Sequence, residues 1–255
     1  MTAKTVRRLI ATAGLMALLP ITAASAAEDL QTEQVGYRVA LAGINVADLD
    51  LQIRRSGDRY DVQAQGSYRV LFWSGALSST VSGKIVPNGL QPDRYKVSTE
   101  SSSPSTTVIE FEPAQGPTSW ERTPVAPSEW TEGRVPLERD HLKPALDPIS
   151  AIVVSALWSA NGATPTVCEE AIRIFTGLTV FELDFDGAQP DGYDRVICDV
   201  TYRALSGHRA ESSGVKRLSG PGTIEIAFDR LPGGNWFPGY ISLPTGVGKL
   251  TIQRS

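Results

Sequence analysis

The stretch from Ala47 to Arg54 reads ADLDLQIR and alternates apolar with polar residues throughout. Because successive side chains of a β-strand point to opposite faces, this alternation predicts a strand with one buried and one solvated face. A Ser56-Gly57-Asp58 turn follows, and the alternation resumes at Tyr60, Val62 and Ala64. These two segments predict an antiparallel hairpin.

The same period of two recurs along most of the chain. A second hairpin is predicted around Asn88-Gly89, because this pair tolerates the positive φ of a tight two-residue turn. Further alternating segments lie at 95–99, 108–111, 172–174, 181–185, 196–203, 224–228, 240–241 and 250–252. So many short strands predict a mainly β fold, either a curved antiparallel sheet or an incomplete β-barrel or spiral.

One helix, near 148–160, is predicted inside this sheet. Asp147 is placed as its N-cap, Pro148 as its first residue and Asn161-Gly162 as its stop. Apolar residues from Ile149 to Leu157 recur at helical spacing, and no charged residue occurs between Pro148 and Cys168. We therefore expect the helix to be buried on most of its circumference.

Prolines mark the irregular segments. The region 113–136 contains five prolines together with Trp120 and Trp130, which predicts a long crossing loop with an edge strand. Trp236-Phe237 precedes Pro238-Gly239, where we expect a turn.

The first 26 residues have the organisation of a secretory signal peptide. Lys4, Arg7 and Arg8 precede an apolar stretch, and Ala24-Ser25-Ala26 forms a small-residue cleavage site. The stretch is shorter than the roughly 20 residues that a membrane-spanning helix needs, so we do not expect an integral membrane protein. The prediction is a signal peptide at 1–26 and one β-rich periplasmic domain at 27–255.

Charge and cysteine content agree with this compartment. Three of the 24 Lys and Arg residues lie in the signal peptide, which leaves 21 against 28 Asp and Glu, or −7. Such a chain has no overall attraction for nucleic acid or for anionic lipid. In an oxidising compartment, the two cysteines, Cys168 and Cys198, favour one disulfide; a pair of unlinked buried thiols is the alternative.

The sequence carries no signature of catalysis or of metal binding. His141 and His208 lack metal-ligand spacing, and the chain has no G-x-S-x-G motif. The glycines at 246 and 248 fail the phosphate-loop pattern, and Asp184 and Asp186 fail the calcium-loop pattern. We therefore predict no catalytic residue, no metal and no cofactor.

The aromatic residues leave two alternatives open. Trp73, Trp158, Trp236 and Phe237 pack in the core, or they line a concave apolar pocket for a small molecule. A curved sheet that a helix only partly fills is a geometry in which such a pocket opens.

An ordered set of motifs resembles a known family. The motifs are Tyr37-Arg38-Val39 with Gly43-Ile44, Asp147-Pro148-Ile149-Ser150-Ala151, Ile174-Phe175-Thr176-Gly177, Cys198 with Tyr202 and Gly207, and Trp236-Phe237-Pro238. Together they resemble an exported bacterial family, the domain of unknown function 3108, over nearly all of the mature chain. The resemblance implies a β-rich periplasmic protein of the cell envelope and carries over no catalytic residue.

Three functions are compatible with the sequence. The first is a non-catalytic periplasmic protein that supports the cell envelope by holding a hydrophobic ligand or by contacting an envelope component. The second is an interaction scaffold without a ligand. The third is an enzyme acting on envelope polymers through carboxylates such as Asp184 or Asp186.

Overall fold

The computed structural model describes residues 30–70, 73–158 and 165–255. Within these ranges the chain forms fourteen strands and three α-helices. The strands are β1 (Gln31–Leu41), β2 (Ile44–Ser56), β3 (Arg59–Val70), β4 (Trp73–Val86), β5 (Gly89–Glu100), β6 (Ser105–Glu112), β7 (Gly116–Thr123), β8 (Ala171–Phe175), β9 (Val180–Phe185), β10 (Gln189–Pro190), β11 (Arg195–Ser206), β12 (Ile224–Arg230), β13 (Trp236–Thr245) and β14 (Gly248–Arg254). The helices are α1 (Ser128–Thr131), α2 (Pro148–Trp158) and α3 (Ser213–Leu218). The predicted signal peptide lies outside the described residues.

All fourteen strands belong to one antiparallel sheet. Its order is β7-β6-β5-β4-β3-β2-β1-β14-β13-β12-β11-β9-β8, with β10 paired to β11. The pairing of β1 with β14 joins the two ends of the chain, so the sheet curls into a nearly closed barrel with one seam between β7 and β8. The predicted mainly β, curved antiparallel fold is confirmed.

The alternation in the sequence sets the register of the first hairpin. In the β2–β3 pair, Leu51 lies opposite Ala64 and Ile53 opposite Val62, and all four side chains are buried. At the second hairpin Val86 pairs with Gly89, so its two-residue turn consists of Pro87 and Asn88. This turn is one residue earlier than predicted, and Gly89 supplies the positive φ of 136° at its end.

The connection between β7 and α2 covers the seam. Leu146 lies parallel to Ile174 of β8, and its N–H donates to the Arg173 carbonyl over 2.8 Å. The Leu146 carbonyl accepts from the Phe175 N–H over 2.8 Å. Trp120, on β7, packs edge to face on Phe175 with 5.0 Å between the ring centroids. The outer edge of β8 is therefore paired, and β7 is the edge strand within the predicted crossing loop.

Helix α2 occupies the interior of the barrel. It packs against β3, β4, β5, β8 and β13. Ile149, Val153 and Leu157 are buried, as the periodicity predicts, and Ser150 and Ser155 on other faces are buried as well. The predicted stop at Asn161-Gly162 lies outside the described residues. None of the helices in the described part of the chain is long and apolar enough to span a membrane.

The prediction of a turn at Pro238-Gly239 is wrong, because strand β13 continues through these two residues. The register with β12 shifts there, so these residues form a bulge. The Asp229 carboxylate lies against Gly239 and would collide with any Cβ at that position. Asp229 also accepts from Arg195 over 2.7 Å and pairs with Arg254 at 3.3 Å. Glycine at 239 therefore makes room for a cluster of three charges.

Candidate functional site

A cavity of about 310 Å³ opens beside the C-terminal end of α2, and we call it the Trp158 groove. It lies at the rim of the barrel that carries the β4–β5 turn. Its walls are mostly apolar and come from β4, β5, β6, the seam connection, α2 and β8. The apolar lining includes Leu90, Phe111, Leu146, Val154, Trp158 and Ile172. The size and the apolar wall suit part of a small lipophilic molecule.

Trp158 is fixed at this groove by a hydrogen bond. Its indole Nε1–H donates to the Pro87 carbonyl over 2.9 Å. Pro87 lies in the β4–β5 turn, so the bond ties the last residue of α2 to the rim. The indole keeps its polar edge bonded while its ring forms part of the apolar wall.

The polar edge of the groove is largely occupied by internal contacts. Arg173 pairs with Glu182 at 2.9 Å and donates to the carbonyl of Asp140 over 3.1 Å and to that of Lys143. These bonds hold the seam connection against β8 and satisfy most of the guanidinium donors. The groove therefore offers a ligand an apolar wall more than a free cation.

A buried carboxylate anchors the other end of α2. Asp147 is completely buried, and its Oδ1 accepts from the N–H groups of Ile149 and Ser150, each over 2.9 Å. This confirms Asp147 as the N-cap. Its Oδ2 is buried and has no hydrogen-bond partner among the described residues. Burial raises the pKa of Asp147 to about 6, although hydrogen bonds from Ser150 and Ile149 oppose the rise.

Two tyrosines complete this buried polar cluster. The Tyr60 hydroxyl and the Ser150 hydroxyl lie 2.8 Å apart. Burial, with the nearby Asp147 charge, raises the pKa of Tyr60. Burial also raises the pKa of Tyr95 to about 12. Both hydroxyls are therefore neutral at neutral pH. Because Asp147 has no exposed surface, a substrate could not reach it without a rearrangement of the barrel.

From the sequence, Asp147 is expected only as a helix cap, and its burial as a carboxylate is not predicted. A signal for it exists, since Asp147 directly precedes a stretch from Pro148 to Cys168 that contains no other charge. A carboxylate joined to such an apolar segment is carried into the core with it.

The four aromatic residues predicted for a pocket occupy three different environments. Trp158 lines the groove. Trp236 and Phe237 are fully buried in the core. Trp73 is exposed at the opposite rim, where β4 begins. The structure therefore places only one of these four residues at the groove.

The cysteines are joined. Cys168 and Cys198 form a disulfide with a Cα–Cα distance of 5.9 Å, and both are fully buried. The bond links the turn before β8 to the middle of β11. It therefore fastens the last strands of the sheet to the segment that follows α2.

The remaining residues considered in the sequence lie apart from the groove. Asp184 binds Arg203 across neighbouring strands, and Asp186 is exposed. His141 lies 3.7 Å from Glu138, and the His208 carbonyl accepts from the Val135 N–H. Within the described residues, no group of three His, Cys, Asp or Glu side chains is placed to hold a metal ion.

By its fold, the protein is a nearly closed antiparallel β-barrel with a helix in its interior. The chain belongs to a family of proteins of unknown function, DUF3108, whose model matches residues 36–187. The match is shorter than the resemblance found in the sequence, because Cys198 and the Trp236-Phe237-Pro238 motif lie beyond it. No curated protein and no solved structure matches the chain.

Proposed function

We propose that this protein is a non-catalytic protein of the periplasmic envelope that holds a small lipophilic ligand in the Trp158 groove. The observation that carries the proposal is the cavity of about 310 Å³ with its apolar wall. Removing apolar ligand surface from water at about 25 cal/mol per Å² is the main gain that such a wall offers. Export, expected from residues 1–26, and the disulfide support the compartment.

The decisive experiment is native mass spectrometry of the protein taken directly from the periplasm. A reproducible extra mass that organic solvent removes is expected. Trp158→Ala deletes part of the wall and should remove this mass. Trp130→Ala is the matched control, because it deletes the same side chain from α1, far from the groove, and should retain the mass.

A second variant keeps the test informative if Trp158→Ala destabilises α2. Val86→Phe adds volume at a half-buried lining position and should exclude the ligand with Trp158 intact. Thermal unfolding of each variant identifies those that remain folded. A bare polypeptide mass for the wild-type protein would refute the proposal.

An interaction scaffold without a ligand is the second candidate function. It is favoured by the filling of the interior, where α2, Trp236 and Phe237 are buried together in one core. The same mass measurement separates the two candidates, since a scaffold carries no extractable mass.

A further inference from the structure

The exposed apolar side chains are concentrated at one end of the barrel. Eight large hydrophobic residues in the described part of the chain are exposed. Five of them belong to the end that carries the β1–β2, β3–β4 and β13–β14 connections and the segment after β7, which we call the hairpin rim. They are Ile44, Trp73, Val125, Trp130 and Val247. The Trp158 groove opens at the opposite rim.

The strand registers bring three of these side chains to adjacent strand ends. Leu41 pairs with Ile44 in one hairpin and with Leu250 of β14 in the next pair. Trp73 starts β4, which lies beside β3 and one strand beyond β2. Ile44, Trp73 and Val247 are 70 %, 65 % and 73 % exposed. They therefore project from three neighbouring hairpins at the rim.

The inner face of the sheet stays apolar up to this rim. Its residues there are partly buried and alternate with exposed polar residues such as Asp48, Ser67 and Ser78 on the outer face. They are Val39, Leu41, Ala47, Leu49, Tyr68, Leu77, Leu243 and Leu250. The exposed side chains of Ile44, Trp73 and Val247 thus extend the apolar inner face of the sheet beyond the ends of the strands.

The charge of this part of the rim differs from that of the whole molecule. Arg69, Arg217 and Lys249 are exposed, and none of them belongs to an ion pair formed within the described ranges. The Arg217 guanidinium lies 3.5 Å from the position of a Cβ at Gly246, beside Val247. The chain as a whole carries −4. Glu100, on β5 beside β4, is also exposed, and Glu129 and Glu132 lie further along the rim, in and just after α1. Next to Ile44, Trp73 and Val247, exposed cations outside the ion pairs of the described ranges therefore outnumber such acids.

We infer that the hairpin rim docks on the surface of a bilayer that contains anionic phospholipid. Trp73, Ile44 and Val247 enter the interfacial layer, where tryptophan is favoured, and the three cations face the headgroups. Separate projecting tips suit a fluid surface that fills the space between them. A protein partner would need a matching rigid surface to reach interior packing density. This docking is independent of the proposed ligand, whose groove lies at the other rim.

Cosedimentation with vesicles tests the inference. All described strands lie between residues 31 and 254, so a chain starting at Ala27 keeps the whole sheet and omits the apolar leader. We expect it to sediment with vesicles of phosphatidylethanolamine and phosphatidylglycerol (3:1) and weakly with phosphatidylcholine alone. Trp73→Ser combined with Ile44→Ser should weaken binding at least about tenfold. Replacing the three cations with Gln should weaken it about a hundredfold, at about fivefold (about 1 kcal/mol) per charge.

Matched controls come from the opposite rim. Leu30→Ser and Tyr193→Ser remove exposed apolar side chains there and should leave vesicle binding unchanged. All the altered positions are exposed, so the variants should keep the melting temperature of the parent. Failure of the parent chain to sediment with anionic vesicles would overturn the inference, as would equal losses in the rim variants and the controls. If the rim variants instead abolish binding to a protein partner while vesicles are not bound, the rim is a protein interface and the inference is wrong.

Discussion

The buried carboxyl group of Asp147 should make the free energy of unfolding depend on pH, and the substitution Asp147→Asn should abolish this dependence. The carboxyl pKa is about 6 in the folded protein, against 3.8 for the unperturbed group. Between these values the folded state binds a proton that the unfolded state does not. The contribution of the Asp147 carboxyl group to the free energy of unfolding is therefore greatest below pH 4, and it is lost as the pH rises through 6.

The expected magnitude follows from the difference of about two pH units. At about 1.36 kcal/mol for each unit, the free energy of unfolding should change by about 3 kcal/mol across this window. Asp147→Asn keeps an oxygen for the N–H groups of Ile149 and Ser150 but cannot ionise. The stability of the wild type minus that of Asp147→Asn should thus fall by about 2 to 3 kcal/mol between pH 4 and pH 7.

Urea unfolding followed by tryptophan fluorescence at pH 4 to 8 measures this difference. Subtracting the two curves cancels the titration of groups that the variant shares with the wild type. Asp58→Asn makes the same chemical change in an exposed turn and serves as the control. A flat difference curve between pH 4 and 7, or one that rises with pH, would refute the account of Asp147 as a desolvated carboxylate.

Two further predictions concern the covalent and ionic links of the sheet. Replacing Cys168 and Cys198 together with Ser opens a loop of 30 residues and should lower the free energy of unfolding by about 3 to 4 kcal/mol, measured in urea; an unchanged midpoint would contradict the entropic argument. Gly239→Ala forces a Cβ into the Asp229 carboxylate and should destabilise the protein by about 2 kcal/mol in thermal or urea unfolding, whereas Gly233→Ala, where no atom lies within 4 Å of an added Cβ, should have little effect. Equal effects of the two glycine substitutions would count against the charge cluster as the cause.

Local features of this fold were predictable because local residues determine them. The period of two in 47–54 places Leu51 and Ile53 on the buried face, and the structure pairs them with Ala64 and Val62 as the alternation requires. Asp147 and Pro148 begin α2 as their capping preferences indicate. The first case involves two strands that are consecutive in the sequence, and the second involves residues within three positions of Asp147.

Features that depend on distant partners could not be read from a single sequence. The pairing of β1 with β14 joins segments from the two ends of the chain. The Pro238-Gly239 pair resembles a turn until Asp229 and Arg254 are seen to fill the space beside it. Tyr60 meets Ser150 across 90 positions of sequence. Likewise, the separation of Trp73 from Trp158 depends on which ends of the strands they occupy.

The pairing of the first strand with the last has a consequence for where the chain can be cut. A fragment ending at residue 187, the limit of the family match, would lack β14, the partner of β1, and β11, the partner of β9. Strands β1 and β9 would keep only β2 and β8 as neighbours. One edge of β1, which is 11 residues long, and one edge of β9, which is 6 residues long, would then be open, and Cys168 would keep a lone thiol. Such edges pair readily with other chains. Aggregation, rather than a smaller folded unit, is therefore the expected fate of the matched region when it is produced alone.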